Sequence, residues 1–217
     1  MALFTVGHST RSLDELLDLL HSHEVTLLAD VRTVPRSRRL PHFDLASLAV
    51  ELPRRGVEYV HLPELGGLRR PRPDSPNQGW RNAGFRGYAD HMDTPEFRAG
   101  LERLARLGRD RDVAFMCAEA VPWRCHRSLL ADALVARGIP VRHIVGAGRS
   151  QAHALTPFAH VEGDRITYPW GGGARAASID SPVNGKETTP DAPGQADAPG
   201  PAAGRASSGP RQPAQTA

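Results

Sequence analysis

The segment that follows residue 112 carries residue types suited to thiol or metal chemistry at close spacing. An apolar run ends in a cysteine, and the reactive side chains that follow within ten residues are Cys117, Glu119, Cys125, His126 and Arg127. The pattern predicts a buried strand that ends at Cys117, a short loop and a helix that opens near Cys125. A site is expected here, because ligands of parallel sheets bind beyond the carboxyl ends of the strands, beside helix N-termini.

Three interpretations of Cys117 remain open from the sequence. It is a small buried apolar residue, a nucleophile whose pKa is lowered by a helix N-terminus and nearby arginines, or a metal ligand. As a ligand it would be joined by Cys125, His126, Glu119 or the histidines at 8 and 61. The seven residues between the two cysteines match no standard zinc spacing, and the arginine of a phosphatase-like loop is replaced by Trp123.

The elements around this segment alternate between strand and helix patterns, which predicts one α/β domain. The predicted strands are 3–6, 25–31, 57–61, one that ends at 117, and 141–145. Helices are expected after Ser12, after an Asp44 cap, after Thr94 and over 125–137, and a hairpin over 159–168. We expect a mostly parallel sheet of about five strands with helices on both faces. The stretch 62–86 has no apolar period and is predicted to be a long loop, of a kind that is normally either functional or disordered.

In a parallel sheet, polar residues at four strand ends would meet on one edge. From the residues alone, the expected catalytic groups are Cys117, Glu119, His8 and Asp30. The expected anion-binding groups are Ser9, Arg32, Arg38, Cys125, His126 and Arg127. Alternatives stay open for each: His8 fits a turn, the Asp30 and Arg32 pair fits a structural ion pair, and the basic run 36–39 fits solvated surface.

The composition of the chain limits its expected domain organisation, its chemistry and its cellular location. Of 217 residues, those from 171 to 217 are rich in Pro, Gly, Ala, Ser and Thr and are predicted to be a disordered tail after a domain over 1–170. Lys186 is the only lysine among 27 basic residues, so a lysine Schiff base in the domain is excluded. Two cysteines, no secretory leader and no long apolar run indicate a soluble cytoplasmic protein without a membrane span.

Several motifs together resemble the domain-of-unknown-function family 488 over residues 4 to 144. They are 5–10 (Thr-Val-Gly-His-Ser-Thr), 30–32 (Asp-Val-Arg), 65–67 (Leu-Gly-Gly), 85–89 (Phe-Arg-Gly-Tyr-Ala), 116–119 (Met-Cys-Ala-Glu) and 125–127 (Cys-His-Arg). The resemblance implies a compact α/β domain of bacterial and archaeal cytoplasm and one site that includes the residues above. It adds Gly66, Gly67 and Tyr88 as loop or substrate residues, beside His61, which is expected there from its position at the end of the third strand, and it supplies no activity.

The leading functional prediction is an enzyme that acts on an anionic, phosphate-bearing substrate, such as a nucleotide or nucleic acid. Arginines 32, 38 and 127 would hold the anion, Cys117 would act as nucleophile or redox thiol, and Glu119 and His8 would be acid/base partners beneath a lid formed by 62–86. One alternative is a nucleotide-binding or sensor module without turnover. The other is a metal protein that uses Cys117, Cys125 and His126. The sequence indicates no particular cofactor or oligomeric state.

Overall fold

A computed structural model of the protein describes residues 2–171, and these contain a six-stranded sheet in the order β3-β2-β4-β1-β5-β6. The strands are β1 (Leu3–Gly7), β2 (Leu27–Asp30), β3 (Glu58–His61), β4 (Val113–Cys117), β5 (Val141–Gly146) and β6 (Arg149–Ala152). Strands β1 to β5 pair with one another in parallel, which confirms the predicted α/β fold. The sequence did not predict β6, an antiparallel strand that follows β5 through a turn in which Gly148 has φ +61°.

Within residues 2–171, five α-helices cover the sheet. They are α1 (Leu13–His21), α2 (Leu45–Arg54), α3 (Ala83–His91), α4 (Pro95–Asp110) and α5 (Arg127–Val135). Ser12 forms the predicted capping box with Glu15 and begins α1. Asp44 stands at the expected N-cap of α2, but its carboxylate accepts the backbone N–H of Ser37 at 2.6 Å instead of a helix amide.

The sheet separates two apolar cores. One core includes Leu16, Leu48 and Met116 and packs under α1 and α2. The other includes Phe115 and Leu101, from β4 and α4, and extends to α3 and α5. Because side chains alternate between the two faces along a strand, neighbouring residues of one strand enter different cores.

The stretch 62–86 is more structured than the sequence predicted. A short 3₁₀ helix occupies Pro63–Leu65, and α3 begins at Ala83, where the Asn82 side chain accepts the first helix amides. Two glycines in α3 weaken its helix propensity, which explains why the pattern was missed. The Asp90 carboxylate accepts bonds from Ser75 Oγ at 2.6 Å and Asn77 Nδ2 at 2.8 Å. These buried bonds tie the stretch to α3.

The predicted hairpin is present as β7 (His160–Glu162) and β8 (Arg165–Thr167), with Gly163 in the turn at φ +62°. The predicted tail at 171–217 lies outside the described residues except for Gly171. Within residues 2–171, no helix combines the length and apolar character that crossing a membrane requires.

Candidate functional site

The parallel register brings the four expected strand ends to one edge of the sheet, but on two different faces. Gly7 lies level with Cys117, while Asp30 lies level with Met116 on one side and His61 on the other. Asp30 therefore shares the face of Met116, and Cys117, the next residue along β4, faces the opposite core. The predicted single site is thus divided into two clusters.

The first, which we call the thiol cluster, consists of Cys117, Cys125, His126 and Arg127. The two Sγ atoms and a ring nitrogen of His126 all lie within 4.8 Å of one another. Cys125 Sγ and His126 Nδ1 are 3.5 Å apart. Both cysteines are buried free thiols. Two soft sulfur atoms and one imidazole nitrogen form a ligand set typical of zinc.

His126 is held in one orientation and one tautomer. Its Nε2 lies 3.0 Å from the carbonyl oxygen of Val31, which accepts a hydrogen bond and cannot donate one. Nε2 therefore carries the proton, and Nδ1 presents a lone pair toward the thiols. Burial lowers the pKa of His126 and keeps the ring neutral. The Tyr88 ring packs beside it, with centroids 5.0 Å apart.

Arg127, an expected anion-binding group, is instead an interior residue with 1% of its surface exposed. Its Nε donates to Cys117 Sγ at 3.0 Å and its Nη1 to Thr5 Oγ1 at 2.8 Å, and Nη2 donates to the carbonyl oxygen of Glu119. Gly7 leaves room for this contact, because a Cβ at that position would lie 1.8 Å from the same oxygen. Arg127 thus ties the Cys117 thiol to the backbone of the loop that carries Glu119.

The protonation of the two thiols is unequal. The hydrogen bond with Cys117 is the largest cause that lowers the pKa of Cys125, to about 7, and the charge and backbone N–H of Arg127 act in the same direction. Burial is the largest cause that raises the pKa of Cys117 well above its ordinary value. Because the two thiols share a hydrogen bond, the first proton is lost from the Cys117 and Cys125 pair as a unit, whereas the sequence argument placed the nucleophile at Cys117 alone.

An open pocket of about 370 Å³ lies over the thiol cluster. The predicted site residues that line it are Arg32, Gly67, Cys117, Glu119, Cys125 and His126. Glu119 and Arg124 are exposed, and within residues 2–171 their side chains have no hydrogen bond or ion pair with the protein. A carboxylate and a guanidinium are thus available to a ligand beside the thiols.

The second, which we call the carboxylate cluster, consists of Asp30, Arg32, Tyr59 and His8. Asp30 is fully buried and accepts bonds from Arg32 Nε at 2.9 Å, Arg32 Nη2 at 2.5 Å and the Tyr59 hydroxyl at 2.8 Å. His8 donates from Nδ1 to the carbonyl of Ser9, and its Nε2 lies 3.3 Å from Arg32 Nη1. Burial, followed by the Arg32 charge, lowers the pKa of His8 to about 4. The polar groups of this cluster are engaged with one another.

The other expected site residues have local structural contacts outside the pocket lining. His61 donates from Nε2 to the carbonyl of Arg32 at 2.8 Å, and Tyr88 donates to the carbonyl of Leu65 at 3.0 Å. Gly66 packs closely on Thr33. Ser9 has φ +51° in the turn after β1, and its N–H donates to Ala118. Arg38 is exposed and does not line the pocket.

Sequence reasoning missed several pocket residues. Val34, Leu68 and Asn82 line the pocket, yet none has a reactive side chain that a motif argument would single out. Only their positions in the sequence could have identified two of these residues, because Val34 follows the end of β2 and Leu68 follows the Gly-Gly pair. Arg124 also lines the pocket, and within residues 2–171 its side chain has no hydrogen bond or ion pair.

A protein-family model described as domain of unknown function DUF488 matches residues 12–134. This range covers more than half of the chain and includes all four residues of the thiol cluster. No curated protein and no solved structure matches the chain.

Proposed function

The chain belongs to the DUF488 family, and we propose from the geometry of its site that it is a metal-dependent enzyme that acts on an anionic substrate. The observation that carries this proposal is the three-ligand cluster of Cys117, Cys125 and His126 at the floor of an open pocket. Structural zinc sites are closed by four protein ligands, whereas catalytic sites keep a position for water or substrate. Three protein ligands beneath a pocket correspond to the second arrangement.

The distances suit a tetrahedral zinc ion. With Zn–S of about 2.3 Å and Zn–N of about 2.0 Å, two ligand atoms are separated by roughly 3.5 to 3.8 Å. The 3.5 Å between Cys125 Sγ and His126 Nδ1 is already in this range, and the remaining separations, which are at most 4.8 Å, would shorten by up to about 1 Å on metal binding.

The surroundings of the ligand atoms support the same proposal. Metal-bound histidines donate their second ring N–H to a carboxylate or carbonyl, as His126 does to Val31. Thiolates need donors that offset their charge, and Arg127 supplies one to Cys117. No carboxylate within residues 2–171 pairs with the buried Arg127 guanidinium, so negative charge on the sulfurs is its nearest compensation.

The pocket supplies groups for substrate chemistry. A bound zinc ion would act there as a Lewis acid. Both Glu119 and Arg124 line the pocket, where Glu119 would take a proton from a water or a substrate hydroxyl and Arg124 would bind the anionic group. Arg32 borders the pocket, but its charge is compensated by Asp30.

The Arg127 contact also favours a second candidate, a metal-free enzyme whose nucleophile is a thiolate of the Cys117 and Cys125 pair. The guanidinium bond to Cys117 Sγ at 3.0 Å stabilises a charge on the sulfur pair whether or not a metal is present. Metal content separates the two candidates.

Elemental analysis of the freshly purified full chain tests the metal proposal. We expect about one equivalent of zinc, which should fall below about a tenth of an equivalent in Cys125→Ser and in His126→Ala because a ligand is lost. His160→Ala, at an exposed histidine outside the cluster, is the matched control and should retain the metal. A wild-type chain without bound metal, which also takes up none from added zinc, would refute the proposal and leave the thiolate candidate.

Turnover is measured separately on a panel of phosphate monoesters and of carboxylic esters that carry a free carboxylate group. We expect hydrolysis by the zinc-loaded chain that Glu119→Gln and Arg124→Met each reduce by about 10²-fold or more, in the first case through the lost proton acceptor. If both variants retain zinc, their loss of hydrolysis is due to the substituted side chain and not to loss of the metal. Zinc binding without turnover of any ester would indicate a binding module instead.

A further inference from the structure

We propose that the substrate of this pocket is an organic anion with an apolar group beside its single anionic group, an inference that rests on the proposed function. The apolar side chains among the residues that line the pocket are the reason. Leu68 and Val34 line it and are 79% and 60% exposed. Two of the three most exposed large apolar side chains within residues 2–171 therefore border the same pocket.

Such exposure at one place indicates a ligand contact. Single exposed apolar residues are common on protein surfaces, but apolar side chains gathered at a concave site mark binding regions. Leu68 and Val34 come from different loops, after β3 and after β2, and a third apolar wall comes from Phe85 in α3. Three separate elements thus contribute apolar surface to one pocket.

The aromatic wall is fixed before a ligand binds. The Phe85 ring stacks on Trp80 with centroids 4.8 Å apart, and Trp80 is itself buried against Phe158. A ring held in this way loses little conformational entropy when it packs on an apolar ligand group. The contact is suited to a flat aryl or a branched alkyl group.

The charges limit the ligand to one anionic group. Arg124 is exposed without a partner within residues 2–171, whereas the Arg32 guanidinium is engaged by Asp30. Glu119 adds a negative charge to the same lining. Nucleic acids and polyphosphates bind to several uncompensated cations, so this charge pattern favours a small monoester or carboxylate over a strand. A volume of about 370 Å³ is also sufficient for a small ligand.

Calorimetric titration of the full chain with phenylphosphonate and methylphosphonate tests the inference. Both probes carry the same anionic group and lack an ester bond. We expect phenylphosphonate to bind at least about ten-fold more tightly, because its ring buries apolar surface on the pocket walls. The ratio should fall to about two-fold or less in Leu68→Ser, since the most exposed wall is removed. Leu155→Ser, an exposed leucine outside the pocket, is the matched control and should keep the wild-type ratio.

The possible results separate this inference from the proposed function. Equal affinities for the two probes, or a preference that Leu68→Ser leaves intact, would overturn the inference even if zinc and turnover are present. A retained preference in a wild-type chain that holds no zinc and takes up none when zinc is added would support the apolar contact and refute the metal proposal alone. Self-association of the wild type that Leu68→Ser abolishes, without a preference for phenylphosphonate, would overturn the inference in favour of a second copy as the occupant.

Discussion

The thiol cluster and the carboxylate cluster lie at the ends of adjacent strands, yet they differ in what remains available to a ligand. In the carboxylate cluster, Asp30 and Arg32 compensate each other and their donors and acceptors are engaged within the protein. In the thiol cluster, Nδ1 of His126 and two sulfur atoms converge beneath an open pocket. Buried polar groups with complete hydrogen bonding stabilise a fold, whereas convergent groups that face a pocket are candidates for chemistry.

The difference has a simple geometric origin. Strand ends that meet on one edge still direct consecutive side chains to opposite faces. Met116 and Cys117 are neighbours in the chain but belong to different cores, and each cluster follows its own face. Shared position on an edge is therefore weaker evidence for a common site than shared position on a face.

The largest expected effect that tests this contrast is on stability. Asp30→Asn should lower the free energy of unfolding by about 3 to 5 kcal/mol, because Arg32 would be left as an uncompensated buried charge. Urea denaturation measures the change. Asp14→Asn, in an exposed pair with Arg55, is the matched control and should change stability by less than about 0.5 kcal/mol. Loss of zinc from folded Asp30→Asn protein would show that the two clusters are functionally coupled.

A smaller effect is expected on metal affinity when the thiol cluster loses its internal donor. Arg127→Met should weaken zinc binding about 10- to 100-fold, because Cys117 Sγ loses a hydrogen bond that favours the thiolate. Competition with a chelator measures the affinity. The exposed Arg106→Met on α4 is the control and should bind zinc as the wild type does. Unchanged affinity in folded Arg127→Met protein would limit Arg127 to a structural role.

The smallest expected effect concerns acid stability. The pKa of His8 is lowered to about 4 in the folded chain from 6.5, so the unfolded chain takes up the proton first. The contribution of neutral His8 to the free energy of unfolding should be fully present above pH 6.5. It should be lost as the pH decreases toward 4, by about 1 to 2 kcal/mol after allowance for partial solvent screening. Urea denaturation at pH 7.5 and pH 5 should show a smaller decrease for His8→Asn than for the wild type. An equal decrease in both proteins would exclude His8 as a cause.

Local sequence signals predicted much of the fold. The capping box at Ser12 and the Thr94-Pro95 helix start are confirmed, as is the β4 end at Cys117. These features depend on residues a few positions apart, so one sequence is sufficient to find them. The antiparallel β6 was missed because its four residues, of which three are exposed, have no buried alternation.

The candidate site was predictable in place but not in detail. The sequence predicted Cys117 at the end of a strand and Cys125 and His126 at the start of a helix. The structure shows that these three residues form a cluster. It could not show that Arg127 turns inward, because inward and outward arginines look the same at a helix start. The bond between His126 and the Val31 carbonyl joins residues 95 positions apart and has no local signal.

The close approach of Gly7 to the Glu119 carbonyl determines which substitutions the chain tolerates at position 7. A methyl group at position 7 would push the loop after β4 away from β1. It would thereby disrupt the hydrogen bond from Arg127 to that carbonyl. In a library of all single substitutions, position 7 should be depleted as strongly as the cysteines, although glycine contributes no reactive group. Mutational intolerance there would mark a steric requirement of the neighbouring site, so a map of essential positions would count one residue that never touches a ligand.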